Sequence, residues 1–338
     1  MPDLSSFDQS ILSIAPMVQF DSLRPHKLPM FGGQKPRARR IVMSSESKTH
    51  RIGDVTISKV EEQQLSNVPV SFLYPKEKAA ERIAADPSLR DEVEDGGKRL
   101  RLSIHTWVVR TPDHLILVDT GSGNDKERSR NPIFDRQSIP FIERLRVAGV
   151  DPEKVDFVFN THLHVDHSGW NTRLEKGKWV PTFPNARYVF PRAECEYYAS
   201  PASHNEANIP SSGVYEDSIA PVIDAGLVDF IEPGGGRYLD IFDFIATPGH
   251  SIGHMSIAVT SGGETAIFGG DILHSPVQVR HPDLNTVFCE FHDQATASRL
   301  SMLTHLADTR ALYLATHFPA SSAGYVARTP DGFSWAYI

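Results

Sequence analysis

An α/β fold of two sheets with helices outside them is what this sequence predicts. Three observations carry the prediction. Short apolar runs rich in β-branched and aromatic residues, such as VDFVFNTH, LVDFIEP and ALYLATHFP, recur along the chain and read as strands. Charged, helix-prone segments alternate with them. No GxGxxG stretch opens a helix after any of these strands, so a nucleotide-binding sheet is disfavoured and two sheets with helices outside fit better.

The chain has 338 residues, enough for one large domain or two ordinary ones with a sizeable core. Its 40% hydrophobic and 22% charged content is that of a globular protein. A formal net charge of −8 provides no general field for nucleic acid, and the one basic cluster, Lys35 to Arg40, reads as a solvated face or a partner contact. No apolar run approaches a membrane span, and the first twenty residues lack the pattern of a secretory signal. Two cysteines far apart, Cys195 and Cys289, imply buried thiols rather than a disulfide framework. A cytoplasmic protein without nucleic-acid or membrane partners is the expectation.

Residues 1–50 are rich in Pro, Ser and Arg and show no sustained period, so an arm is expected there, one that could seal a homodimer. The domain proper is expected over 51–338, starting with a strand through Ile52, Val55, Ile57 and Val60. The charged segment Pro75 to Gly97 reads as a surface helix pair broken at Asp86-Pro87. A hairpin follows around Pro112-Asp113, then a helix ending at Gly149 and the strand of VDFVFNTH. Further on come the strand RYVFP, helices over AECEYYAS and YEDSIAPVIDAG, four more strand regions, and a helix over QATASRLSMLTHLADT.

The strand of VDFVFNTH runs into THLHVDHSG, where three histidines and an aspartate fall between His162 and His167. With 15 histidines in the chain, an HxHxDH run arises by chance roughly once in a thousand such sequences. His162 and His164, two apart, project to one side of an extended chain, while Asp166 and His167 lie in the turn before Ser168-Gly169. Imidazoles and a carboxylate packed this closely need a compensating cation. The same arrangement recurs where His250 follows a strand in ATPGHS, Asp271 follows one in AIFGGD, and His317 follows one in LYLATH.

These motifs, together with VDTG at Val118 to Gly121, resemble those of the metallo-β-lactamase superfamily over residues 51–338. The resemblance implies a four-layer αββα sandwich with the site at the edge between the two sheets. It implies one divalent ion held by His162, His164 and His250, and a second held by Asp166, His167 and His317; histidine and carboxylate donors without thiolate suit zinc first, and also manganese, cobalt or iron. Asp271 and a hydroxide would bridge the two ions, and Asp119 would orient ligand histidines from behind. Two such ions, two carboxylates and a hydroxide leave about one net positive charge, which favours water ionisation and carbonyl polarisation.

The segments after Asp271 and after His317 are most similar to methyl parathion hydrolase and its lactonase and esterase relatives. An ester or lactone is the implied small-molecule substrate, and a phosphotriester is a further candidate. Acyl-homoserine lactonase, β-lactamase and thioesterase activities are the neighbouring alternatives. A protein that keeps the metals without turnover is the non-enzymatic one. Similar lactonases carry a tyrosine three residues after the bridging aspartate, where this chain has His274, so His274 is expected to enter the pocket as a general acid beside Asp166. Trp170 and Phe318, adjacent to the motifs, are expected to line the pocket, and the polar stretch 204–213 to border its entrance. His204, His254, His281 and His292 are assigned ordinary structural roles.

Overall fold

The computed structural model describes residues 48–338, so the arm expected over 1–50 lies outside the described residues apart from its last three positions. In chain order the strands are β1 (Thr49–Ile52), β2 (Val55–Pro69), β3 (Arg99–Arg110), β4 (Leu115–Val118) and β5 (Phe157–Phe159), followed by a small ribbon of β6 (Thr172–Glu175) and β7 (Lys178–Pro181). Next come β8 (Arg187–Pro191), β9 (Val228–Ile231), β10 (Gly236–Tyr238), β11 (Phe242–Ala246), β12 (Met255–Ser261) and β13 (Glu264–Phe268). The last three are β14 (Leu312–Leu314), β15 (Ala323–Thr329) and β16 (Gly332–Tyr337). The helices are α1 (Val70–Leu73), α2 (Ala79–Ala85), α3 (Phe141–Val147), α4 (Arg192–Tyr198), α5 (Ala220–Asp224), α6 (Val277–Arg280) and α7 (His292–Thr309).

Among the described residues there are two seven-stranded sheets, ordered β1-β2-β3-β4-β5-β8-β9 and β10 through β16 in sequence. Strand alternation decides how they stack, because successive side chains point to opposite faces. Val109, Ile116, Val118 and Phe159 of the first sheet meet Phe244, Ile257, Val259, Phe268 and Leu314 of the second in one buried cluster. Their neighbours Val108, Leu117, Val158 and Tyr188 point the other way, onto Phe141 and Leu145 of α3, Cys195 of α4 and Val222 of α5. On the far side, Ala258, Ile267 and Tyr313 pack against Met302, Leu303 and Leu306 of α7. Four layers, αββα, result. Burial on both faces is why these strands read as continuous apolar runs.

β4 and β5 are parallel, as are β13 and β14, and β11 shares their sense because two antiparallel steps separate it from β13. The carboxyl ends of all five strands therefore carry the motif loops.

Some elements differ from the sequence reading. β2 runs on to Pro69, past two register shifts against β3. The β6–β7 ribbon turns at Lys176 and Gly177, both at positive φ, without the Asn-Gly or Asp-Gly pair that announces such a turn. The helix expected over YEDSIAPVIDAG begins as a π-helical turn, Tyr215–Ile219, before α5. Pro221 lacks the N–H that an uninterrupted α-helix from Tyr215 would donate to the Asp217 carbonyl. No helix among the described residues is long and apolar enough to cross a membrane.

Candidate metal centre

Five strand ends deliver the site. Asp119 follows β4, the run His162 to His167 follows β5, His250 follows β11, Asp271 follows β13 and His317 follows β14. Two groups of ligand atoms form, one from His162, His164, His250 and Asp271, the other from Asp166, His167 and His317, with the atoms of each group within 4.8 Å of one another.

Asp271 divides its carboxylate between them. Oδ2 lies 3.2 Å from His250 Nε2 and 3.9 Å from His162 Nε2. Oδ1 lies 3.2 Å from His167 Nε2 and 3.0 Å from His317 Nε2. The Asp166 carboxylate stands 3.7 Å from His167 Nε2 and 3.6 Å from His317 Nε2. His164 presents Nδ1, which faces His250 Nε2 at 2.9 Å.

Two divalent cations fit this set. His162 Nε2, His167 Nε2 and Asp271 Oδ1 are buried without a hydrogen-bond partner, and such orphaned lone pairs are costly unless something electropositive meets them. Burial pushes His162 and His250 well below the ordinary histidine range, which keeps both imidazoles neutral and able to donate lone pairs. Burial acts the same way on His167, but Asp271, Asp119 and Asp166 outweigh it and raise that group. Nitrogen and oxygen donors without thiolate, with second nitrogens held from behind, suit zinc.

The loops are held from behind. Asp119, at φ +54°, accepts from Thr161 N at 2.8 Å, Thr161 Oγ1 at 2.9 Å and His167 Nδ1 at 2.9 Å. His317 Nδ1 donates to Ser103 O at 3.0 Å. Asn160 Nδ2 donates to His167 O at 2.7 Å. His254, assigned a merely structural part from sequence, accepts the Asp271 backbone N–H on Nε2 at 2.8 Å, while Nδ1 meets Thr247 Oγ1 at 2.9 Å. Sequence reasoning also passed over Glu62, Glu194 and Glu290, which lie outside any motif. Only the repeated histidine of ATPGHSIGH signals His254.

The two aromatic pocket candidates belong to the core. Trp170 stacks on Phe141 at 5.5 Å and donates Nε1–H to the buried Glu62 carboxylate at 2.6 Å. Phe318 is fully buried among Tyr313 and Trp335 on the α7 side of the second sheet. Both follow a ligand by one or three residues, but the chain turns between, so proximity in sequence did not become proximity to the opening. Phe190 is core, as expected.

His274 sits in the site. Its Nε2 is 3.2 Å from Asp271 Oδ2, its ring stacks between His317 and Phe288, and its Nδ1 is buried without a partner. Asp166, with 16% of its side chain accessible, is the most open of the seven clustered residues, and His164 follows at 9%. The 204–213 stretch reaches that side, since Ser211 Oγ accepts from Val165 N at 3.3 Å.

The model of the metallo-beta-lactamase superfamily matches residues 99–317. An N-acyl homoserine lactonase of Bacillus sp is 26% identical over 191 residues, 53% of this chain and 67% of that protein. The N-acyl homoserine lactonase AttM of Rhizobium johnstonii is 29% identical over 180 residues, 48% of this chain and 62% of that protein. The matched region thus spans about two thirds of these curated relatives. Among solved structures, the dizinc quorum-quenching lactonase AidC superposes with a TM-score of 0.72 at 24% identity, covering 86% of this chain and 97% of that one. The hydrolase AbOPH gives 0.71 at 24% identity over the same shares. Those two likenesses concern the fold, and the fold agrees with the motif-bearing strand ends and the family match: the chain belongs to the metallo-β-lactamase superfamily.

Proposed function

We propose that this protein is a dinuclear zinc hydrolase of lactones or carboxyl esters, with the seven residues from His162 to His317 described above as its ligands. The observation that carries the reading is the Asp271 carboxylate, whose two oxygens each face a different pair of imidazoles. The chemistry such ions supply when bound is a water of pKa near about 7 and polarisation of a carbonyl oxygen.

The chain's own residues do the rest. Asp119 and the Ser103 carbonyl fix the rings of His167 and His317. Asp166 and His164 border the solvent side, so the scissile group approaches across them. His274 places Nε2 3.2 Å from Asp271 Oδ2, within the ligand cluster, which suits proton delivery to the leaving alkoxide. His274→Ala is expected to lower kcat by roughly 10²- to 10⁴-fold on an aliphatic lactone, with both zinc ions retained. Unchanged turnover at full zinc occupancy would remove His274 from the mechanism.

The curated relatives favour acyl-homoserine lactones among the possible substrates. A panel of an acyl-homoserine lactone, a simple lactone, an aryl ester and a phosphotriester ranks these classes by kcat/KM, and a flat profile would argue against the lactone preference. The reading includes a cytoplasmic location, no nucleic-acid or membrane partner, and a homodimer sealed by residues 1–50, which sedimentation of full-length and arm-deleted protein tests.

A further inference from the structure

Four of the five ligand imidazoles have an evident neighbour at their second nitrogen. His162 Nδ1 meets Thr161 Oγ1 at 3.1 Å, His167 Nδ1 meets Asp119, His317 Nδ1 meets the Ser103 carbonyl, and His250 Nδ1 has the Cys289 thiol at 3.8 Å. His164 differs because it turns Nδ1 toward the other ligands, which leaves Nε2 facing outward. The group it faces is Glu290, whose Oε1 lies 3.9 Å away.

Glu290 is built to stay there. Its side chain is only 3% accessible. Oε2 accepts from Tyr197 Oη at 2.7 Å and from Asn208 Nδ2 at 3.1 Å, and its backbone N–H donates to the His250 carbonyl at 3.0 Å. Oε1, by contrast, is buried and has no hydrogen-bond partner. A buried carboxylate oxygen without a donor is unfavourable, and the nearest ring nitrogen facing it is His164 Nε2. At 3.9 Å the pair makes a charge–dipole contact rather than a hydrogen bond. That contact still favours the tautomer with the proton on Nε2, and only that tautomer leaves the Nδ1 lone pair free for a cation.

We propose that Glu290 is the positioning residue of His164, fixing its Nε2–H tautomer so that Nδ1 can serve the ion held by His162, His164 and His250. The inference rests on the dinuclear reading above. It gives that ion a carboxylate–imidazole pair of its own, as Asp119–His167 gives one to the second ion. Through Tyr197 and Asn208 it also ties the 204–213 stretch to the metal centre, so that the entrance and one ligand share a hydrogen-bond network.

The test is zinc affinity, measured by competition with a chromophoric chelator on the full-length protein. Glu290→Gln keeps the shape and can still accept from Tyr197, but removes the negative charge facing His164. One of the two zinc dissociation constants should rise roughly 10- to 100-fold while the other moves less than about threefold. Long-range 1H–15N spectra of the zinc-loaded wild type should show His164 protonated on Nε2. Tyr197→Phe, which only loosens Glu290, should weaken the same ion by a smaller factor and keeps the test open if the glutamine variant does not fold. Unchanged constants in Glu290→Gln would overturn the proposal. So would an equal weakening of both ions with a lower Tm of the metal-free protein, or a His164 carrying its proton on Nδ1. Fewer than two zinc ions bound by the wild type would instead defeat the dinuclear reading itself.

Discussion

Trp170→Phe separates a core role from a pocket role for the tryptophan beside the histidine loop. Trp170 Nε1 donates to Glu62 Oε1 at 2.6 Å, and Glu62 is buried, with Ser122 N, Ser122 Oγ and Gly123 N as its other donors at 2.7, 2.8 and 3.1 Å. Phenylalanine keeps the ring against Phe141 and deletes only one of four donors to a buried carboxylate. A hydrogen bond to a charged group contributes about 1.5–3 kcal/mol. With an unfolding entropy of about 2.1 cal/mol/K per residue, a chain of 338 residues loses about 1.4 °C per kcal/mol, so the expected fall in Tm is about 2–4 °C. Calorimetry at one fixed free-zinc concentration is the assay, because bound metal adds its own stabilisation. Turnover of a small lactone should stay within about threefold of wild type, since the ring lies behind the loop. An unchanged Tm together with an altered acyl-chain preference would refute this reasoning and return Trp170 to the pocket.

Stripping zinc with a chelator should abolish turnover, and two equivalents should restore it. Each site at a hundredfold excess of free zinc over its Kd contributes about 2.7 kcal/mol, so the metal-free protein should melt well below the loaded one. Gly270→Ala should destabilise by about 1–3 kcal/mol or more and weaken zinc binding, because Gly270 sits at φ +57° and an added Cβ would lie 2.4 Å from His254 Nε2. Soluble protein of wild-type Tm would count against it. Burial lowers Lys126 from 10.5 to about 7, against the pull of Asp217. The cost of its buried charge is therefore fully present below pH 7 and disappears as pH rises towards 10.5. Lys126→Met should gain on wild type in urea melts at pH 6 and lose that advantage by pH 10; a pH-independent difference would contradict the assignment.

Much of this was legible in the sequence because the clustered histidines and aspartates follow apolar strands directly. β5, β13 and β14 are short and buried on both faces, so VDFVFNTH, AIFGGD and LYLATH announce the strand and the ligand together. The broken helix at Asp86-Pro87 and the helix end at Gly149 also carried their own punctuation. What stayed hidden depends on contacts distant in sequence. Glu62 reaches Ser122 and Trp170 across 60 and 108 residues, and Glu290 reaches Asn208 across 82. An isolated glutamate has no local pattern that separates such a role from a solvated one. Trp170 and Phe318 failed in the opposite sense. Neighbouring a ligand says nothing about facing the opening once a turn intervenes.

The buried carboxylates outside the ligand set share one logic. Ligand loops leave strand geometry at once, so their backbone N–H groups lose ladder partners and must be satisfied otherwise. Glu194 shows how. One oxygen accepts Leu163 N at 3.2 Å and the other Gly253 N at 2.6 Å. Leu163 lies between His162 and His164 after β5, and Gly253 follows His250 after β11, so a single carboxylate bridges the loops of both sheets that carry His162, His164 and His250. Burial pushes the Glu194 carboxyl up, and the Gly253 N–H that donates to it pulls it back. Both donors belong to the protein rather than to a cation. A carboxylate that joins the two loops in this way restrains the backbone on which His162, His164 and His250 stand, and such a restraint lowers the ordering cost that ion binding would otherwise carry.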